Sequence, residues 1–340
     1  MKKYLSFVGC LLMAGWAVAA VPKVIFDTDM YTDFDDVGAL AVLHTLADAG
    51  ECEILGTVAS VHGAAPAVGM IELVNTFYGR GSLPLGAPRM TASCRGLGPD
   101  VDPDATKNGS YKIYADLVAA HPELKHTTSE SVPDANETYR KLLAAAPDGS
   151  VTIVTVGFTT NLRRLLETKG DAASPLDGKS LVARKVKAWY AMACKSPEGF
   201  EYNSGADAAS SKIAFAAWPT PVYFSDFDYG VSVLCGKPAA ALTDAVNPVR
   251  DVFKRALRDY GEAERGHPSW DEVTVLAAVR GWERYFGVAP GRFDIVDVAK
   301  GIDRWTADPN GRHFVLTEKT PKAEVGKIID ALIAHGPKKK

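Results

Sequence analysis

Short β-rich runs alternating with longer helical stretches predict an α/β fold, a single domain with a mostly parallel central sheet flanked by helices. Two further observations bear on domain organisation: the length leaves room for one large domain or two modest ones, and the lack of a dividing segment favours one. The 340 residues are 47% hydrophobic and 23% charged, enough for one large core and a soluble surface. No repeat, low-complexity tract or linker rich in Pro, Gly or Ser divides the chain. A sheet of this kind places its site at the carboxyl ends of the strands.

Residues 1–20 carry Lys2 and Lys3, an apolar run from Leu5 to Trp16, and the small residues Ala17, Ala19 and Ala20 around Val18. That order predicts a secretory signal peptide cleaved after Ala19 or Ala20. The apolar run is shorter than the roughly 20 residues of a membrane span. The mature domain is therefore expected to cover 21–340, without a membrane span, and to be exported to the periplasm or secreted. A short buried strand is expected at 23–27 and a helix at 36–49, with Gly50 as its stop. The next strand falls at 53–58, and helices at about 65–78, 111–120 and 134–146. Val151 to Val156 is an apolar, β-branched run that reads as a buried strand, followed by Gly157 and a helix at about 161–168. Strands near 185–192 and 221–225 and helices near 206–218, 249–260 and 271–280 complete the series. Residues 91–110 form the longest irregular segment, a lid or a solvated insertion. The tail at Lys338, Lys339 and Lys340 reads as exposed.

Composition narrows the function. With 38 basic and 41 acidic residues and a net charge of -3, the chain has no positive excess to neutralise a phosphate backbone, so no nucleic-acid partner is expected. Cys10 lies in the leader, too early for a lipoprotein signal. Cys52, Cys94, Cys194 and Cys235 are scattered and contain no CxxC pair that would point to zinc. In an exported chain they allow two disulfides in any of three connectivities.

The densest chemical signal follows the first strand, where Asp27, Asp29, Asp33, Asp35 and Asp36 place five carboxylates within ten residues. A solvated acidic loop would explain the composition. Against that, Asp27 and Asp29 sit at the carboxyl edge of a strand, and Asp35 and Asp36 head an apolar helix, so the acids converge where such folds bind ligands. Oxygen ligands of this kind suit calcium or magnesium better than zinc. An EF-hand beginning at Asp27 fails, because its sixth and twelfth positions are Thr32 and Gly38 rather than Gly and Glu. Asp27-Thr28-Asp29 superficially matches the opening motif of haloacid dehalogenase phosphatases, with Asp27 as nucleophile. That reading leaves the second acidic pair unexplained.

An Asp-x-Asp followed by an Asp-Asp pair heading a helix resembles the signature of the inosine-uridine preferring nucleoside hydrolases, here in a form whose spacer is two residues longer and includes Asp33. Other segments follow in order. VTIVTVGFTTNLRRLL at 151–166 resembles the family's strand-Gly-x-x-Thr-Asn-helix segment, and Glu201-Tyr202-Asn203 its Glu-Phe-Asn segment, with Asp207-Ala208-Ala209 behind it. Ser269-Trp270-Asp271 resembles the late segment whose aspartate starts a helix. The similarity spans about residues 23–290.

The resemblance implies a nucleoside hydrolase-like fold and calcium-dependent hydrolysis of the N-glycosidic bond of ribonucleosides, or of a related ribosyl compound, in nucleoside salvage. It implies a calcium ion held by Asp29, Asp36, Asp271 and the backbone carbonyl of Val156. Asp29 would be the catalytic base, taking a proton from a metal-bound water, with Asp27 orienting the site from behind. Asp35, Glu201, Asn203 and Asp271 would bind the ribose. It also suggests a homodimer or homotetramer. The chemistry fits the residue types, since breaking the bond builds positive charge on the sugar that surrounding carboxylates stabilise.

Structural readings stand beside these roles. Asp271 and Asp35 could cap helices and Asn203 could be a turn residue. Asn161 reads as a cap or turn, His62 as a loop histidine, and Trp189, Trp218 and Trp282 as packing residues. One departure bears on mechanism. Trp270 stands where many relatives have a histidine that protonates the departing base, so Trp270 is expected to stack on a base, while another acid such as His267 or Glu262 serves instead or no such acid is needed. An asparagine expected upstream of Glu201 for the sugar's 5-hydroxyl is not evident in 192–198, and Asp226, Asp228 and Tyr229 take no role. The alternative function is a calcium-dependent sugar or nucleoside binding protein without turnover.

Overall fold

The computed structural model describes residues 21–31, 33–62, 65–89 and 109–338. The expected leader, Cys94, most of the irregular segment and the last two lysines lie outside the described residues.

In chain order the strands are β1 (Lys23–Thr28), β2 (Glu53–Ala59), β3 (Leu85–Gly86), β4 (Val151–Val156), β5 (Val186–Met192), β6 (Glu198–Phe200) and β7 (Val222–Ser225). After them come β8 (Leu234–Cys235), β9 (His267–Pro268), β10 (Phe286–Asp297), β11 (Ile302–Ala307) and β12 (His313–Glu318). β8 and β9 pair as a separate ribbon, and the other ten form one sheet in the order β3-β2-β1-β4-β5-β7-β12-β10-β11-β6. Pairing is parallel from β3 through β7 to β12 and antiparallel from β12 onward. The mostly parallel sheet is therefore as expected, and the antiparallel end is an addition that periodicity does not announce. Gly287, Pro290 and Gly291 interrupt β10, and most of its residues are only partly buried.

The parallel strands are buried on both faces, as the continuous apolar run of β4 requires. Along β1, Val24 and Phe26 enter one core while Ile25 enters the other, the alternation of a pleated strand. Helices at Ala65–Phe77, Ala135–Ala145 and Thr160–Glu167 fall close to their expected places. Trp189 and Trp218 are core residues, as read from sequence.

Two close approaches position the site. In register, Thr28 of β1 lies opposite Val156 of β4, so Asp29 and Gly157 leave adjacent strand ends together. A Cβ on Gly157 would lie 2.5 Å from the Asp29 amide nitrogen and from Ser60 Oγ, which only glycine avoids. Gly157→Ala is expected to lower stability by about 1–3 kcal/mol through overpacking, read as an earlier denaturant midpoint. An unchanged midpoint would show that the loop yields freely. The second approach joins the helix Asp35–Asp48 to the helix Trp270–Arg280. Here a Cβ on Gly38 would lie 2.0 Å from Glu272 Oε1. Their amino-terminal ends meet, and the Asp271 amide donates to Asp35 Oδ2 at 3.1 Å.

Candidate active site

The turn after β1 folds back on the helix that follows it. Met30 adopts a left-handed backbone with φ of 43°, and its amide donates to Asp36 Oδ1 at 3.1 Å and to Thr28 Oγ1 at 3.2 Å. The Thr28 hydroxyl also donates to Asp36 Oδ1. Asp29 is thereby brought within hydrogen-bonding reach of Asp36. Carboxylate oxygens of Asp35, Asp36 and Asp271 lie within 4.8 Å of one another.

All four of these acids are buried. Burial raises Asp29 well above the usual carboxylate range, and the charges of Asp36 and Asp33 add to it. Burial does the same to Asp35, with Asp271 adding, and to Asp271, with Asp36 and Asp33 adding. Asp36 is pushed up to about 7 by burial and by Asp33, against the hydrogen bond from Thr28. Behind them, Asp27 Oδ2 accepts from Tyr139 Oη at 2.8 Å and from Asn161 Nδ2 at 3.1 Å. Burial outweighs both bonds and raises Asp27 to about 7.

The sugar-binding candidates come from the segment after β5. Glu201 caps the short helix Tyr202–Gly205, accepting from the amides of Asn203 and Ser204 at 2.8 Å each. Its carboxyl is raised to about 7 by burial, against those two hydrogen bonds. Asn203 Nδ2 donates to the Met192 carbonyl at 3.2 Å, which fixes the amide. Asp29, Asp35, Val156, Glu201, Asn203, Trp270 and Asp271 all line one cleft, at the carboxyl ends of β1, β4 and β5. Asp36 lies against them within the carboxylate cluster. A more spacious hollow of about 550 Å³ on the β10–β12 extension gathers Arg292, Arg304 and Arg312, with none of these acids. Chemistry rather than size therefore identifies the site.

The purely structural readings divide. Ser269 and Phe34, not Asp271 and Asp35, occupy the cap positions of their helices, so capping does not account for either aspartate. Asn161 is also no cap, because Thr159 holds that position and its side chain ties Asp27 to the Ala59 carbonyl. His62 is a loop histidine paired with Glu130 at 3.1 Å. Asp226 accepts the amides of Ser196 and Asp228, holding the loop that leads to Glu201. Cys52, Cys194 and Cys235 are buried and free, so none of these three is disulfide-bonded to another.

Sequence reasoning missed Met192 and Phe227 in the cleft wall and the buried Glu272 beside Asp271. Phe227 stacks on Trp270 with ring centroids 5.3 Å apart, and its carbonyl accepts from Trp270 Nε1 at 3.0 Å. Nothing local marks either residue. Glu272 lies one position past Asp271 in an apolar helix, which is the only signal that could have flagged it. His267, a candidate acid, does not line the cleft; its Nδ1 is bound to Glu262 Oε2 at 2.5 Å.

The profile of the family described as inosine-uridine preferring nucleoside hydrolase matches residues 24–332. The chain belongs to that family. No curated protein matches it in sequence. Among solved structures, the purine-preferring ribonucleoside hydrolase of Gardnerella vaginalis is similar in fold at 17% identity and TM-score 0.68, with 92% of this chain and 99% of that one covered. A plant nucleoside hydrolase, PpNRh1, is similar at 18% identity and TM-score 0.64, covering 93% and 99%. The type III effector XopQ, solved with adenosine diphosphate ribose, is similar at 15% identity and TM-score 0.68, covering 93% and 94%. At these identities the structures establish shared fold. Membership of the nucleoside hydrolase family makes this chain a hydrolase of N-glycosyl bonds acting on nucleosides. The nucleoside hydrolase profile reaches 42 residues past the stretch where motifs were legible, from 290 to 332, and so takes in the antiparallel strands.

Proposed function

We propose that the chain hydrolyses ribonucleosides, or a related ribosyl compound, with calcium held by Asp29, Asp36, Asp271 and the Val156 carbonyl and with Asp29 as general base. The observation that carries this reading is uncompensated acid. The leading charged neighbours of Asp29, Asp35 and Asp271 are all themselves acidic, and Asp36 Oδ2 is buried without a partner among the described residues. Carboxylates packed this way need a counter-charge. An all-oxygen donor set fits a hard divalent cation. When bound, such a cation neutralises the cluster and lowers the pKa of a water in its shell.

The chain's own groups then have separate tasks. Asp29 faces the cleft and takes the proton of the water that attacks the anomeric carbon. Asp35, Glu201 and Asn203 hold the ribose hydroxyls, and because Glu201 and Asn203 are themselves fixed by backbone bonds, little ordering is left for the moment of reaction. The surrounding carboxylates favour the positive charge that grows on the sugar as the base departs. With its N–H committed to the Phe227 carbonyl, Trp270 offers a ring face rather than a proton. Trp270→Ala is expected to raise KM for purine nucleosides by roughly 10- to 100-fold, the worth of one stacked base, with a smaller change in kcat. An unchanged KM would remove Trp270 from base binding.

The leader-like residues 1–20 put this activity in the periplasm or outside the cell, in nucleoside salvage, and amino-terminal sequencing of the exported protein should begin at Ala20 or Val21. The direct test of function incubates mature protein with calcium and a panel of purine and pyrimidine ribonucleosides plus ADP-ribose, the ribosyl compound held by XopQ. Release of free ribose from at least one nucleoside is expected. Saturable binding with no release across the panel would make the protein a binder instead.

A further inference from the structure

Asp33 and the Glu262–His267 pair have no part in the hydrolytic scheme above, yet the fold brings His267 up behind the part of the cleft wall that Asp33 and Asp35 form. A ring nitrogen of His267 and carboxylate oxygens of Asp33 and Asp35 lie within 4.8 Å of one another. His267 is only 4% exposed. Its Nδ1 is held by Glu262 at 2.5 Å, and its Nε2 is buried with no hydrogen-bond partner among the described residues. An unsatisfied buried ring nitrogen costs free energy, so the site asks for a ligand.

We propose that Asp33, Asp35 and His267 form a second cation site, for a zinc-like divalent transition ion. One imidazole and two carboxylates are a donor set that suits such an ion, whereas calcium prefers six to eight oxygens. Glu262 supplies what a metal-binding histidine needs from behind. As acceptor for Nδ1–H it fixes the tautomer that leaves the Nε2 lone pair available. Arg265 holds the other Glu262 oxygen, keeping that carboxylate charged and in place. The ring cannot turn away, because it stacks on Phe34 at 3.9 Å between centroids. Tyr114 Oη donates to the Asp33 carbonyl at 2.6 Å and anchors the third ligand's backbone. Asp35 belongs to this group and its carboxylate also lies within 4.8 Å of those of Asp36 and Asp271, so the second position adjoins the calcium position without sharing its ligands. Asp33 is the aspartate that the longer spacer adds, and the second site gives it a task.

The site rests on the placement of His267 and not on the hydrolase reading. The test titrates Co(II) into the purified mature protein, with and without saturating calcium, following visible absorption and the bound metal by equilibrium dialysis. One equivalent of Co(II) beyond the calcium is expected, with ligand-field bands that require His267. His267→Gln should abolish those bands, and Glu262→Gln should weaken binding by roughly 10- to 100-fold. Because His267 is buried, its variant could lose the fold, so partly buried Asp33 provides the second arm. Asp33→Asn should keep the wild-type circular dichroism and thermal transition while weakening Co(II) by at least about tenfold. Wild-type protein that binds no Co(II) in the presence of calcium, or a folded Asp33→Asn variant that binds it as tightly as wild type, overturns the proposal. Co(II) bound through His267 in a protein that releases no ribose would keep this site and overturn the functional proposal instead.

Discussion

Asp29→Asn is expected to abolish ribose release, lowering kcat by about 10²–10⁴-fold, the contribution of a positioned general base. The substitution is nearly isosteric and, measured at calcium concentrations that saturate the variant despite its altered metal ligand, removes the group that accepts the proton, while Asp35, Glu201 and Asn203 still hold the sugar. Nucleoside affinity should therefore survive. The loss should fall on kcat rather than KM, the signature of an interaction made in the transition state. It should also persist at every pH, because the amide cannot be deprotonated. A variant that keeps more than about a tenth of wild-type kcat would assign the base to another group.

Chelation should both stop hydrolysis and invert the pH dependence of stability. Asp27, Asp36 and Glu201 are each raised to about 7 in the fold, with burial as the leading cause. Their unfolded values lie near 4. Protonated carboxyls are therefore favoured by folding, and the stability they contribute is fully present below about pH 4 and lost as pH rises through 7. Cation-free protein should consequently melt at a higher temperature at pH 5.5 than at pH 8. Calcium binds the deprotonated acids, so adding it should raise the melting temperature most at pH 8 and narrow or reverse that difference. Equal melting temperatures at the two pH values in chelator would mean that the cluster carries less charge strain than its burial implies.

How much of this was legible in the sequence depends on whether the information is local. Asp27, Asp29, Asp35 and Asp36 lie within ten residues at a strand end, so their convergence follows from one turn. Glu201, Asn203, Trp270 and Asp271 are distant but stand in short ordered motifs, and all four reach the same cleft. Phe227 arrives there through the helical turn after β7, and no local pattern distinguishes it from a core residue. β10 stayed hidden because Gly287, Pro290 and Gly291 break its alternation, and β11 and β12 because partial burial blurs theirs. His267 and Glu262 could be named as acids near Trp270, but their bond to each other and the direction of the free ring nitrogen depend on packing against Phe34. Glycine at 38 and 157 reads as punctuation in sequence, and only the neighbours show that each marks a close approach within the site.

The central claim is that Asp36 and Asp271, 235 residues apart in sequence, fold into one cation-binding cage. The measurement that tests it most directly is a calorimetric titration of calcium into the metal-free mature protein and its Asp36→Asn and Asp271→Asn variants. One tight equivalent for the wild type, weakened by roughly 100-fold or more in each variant, is the predicted result. Wild-type protein that takes up no calcium, or variants that bind it with unchanged affinity, would contradict the account.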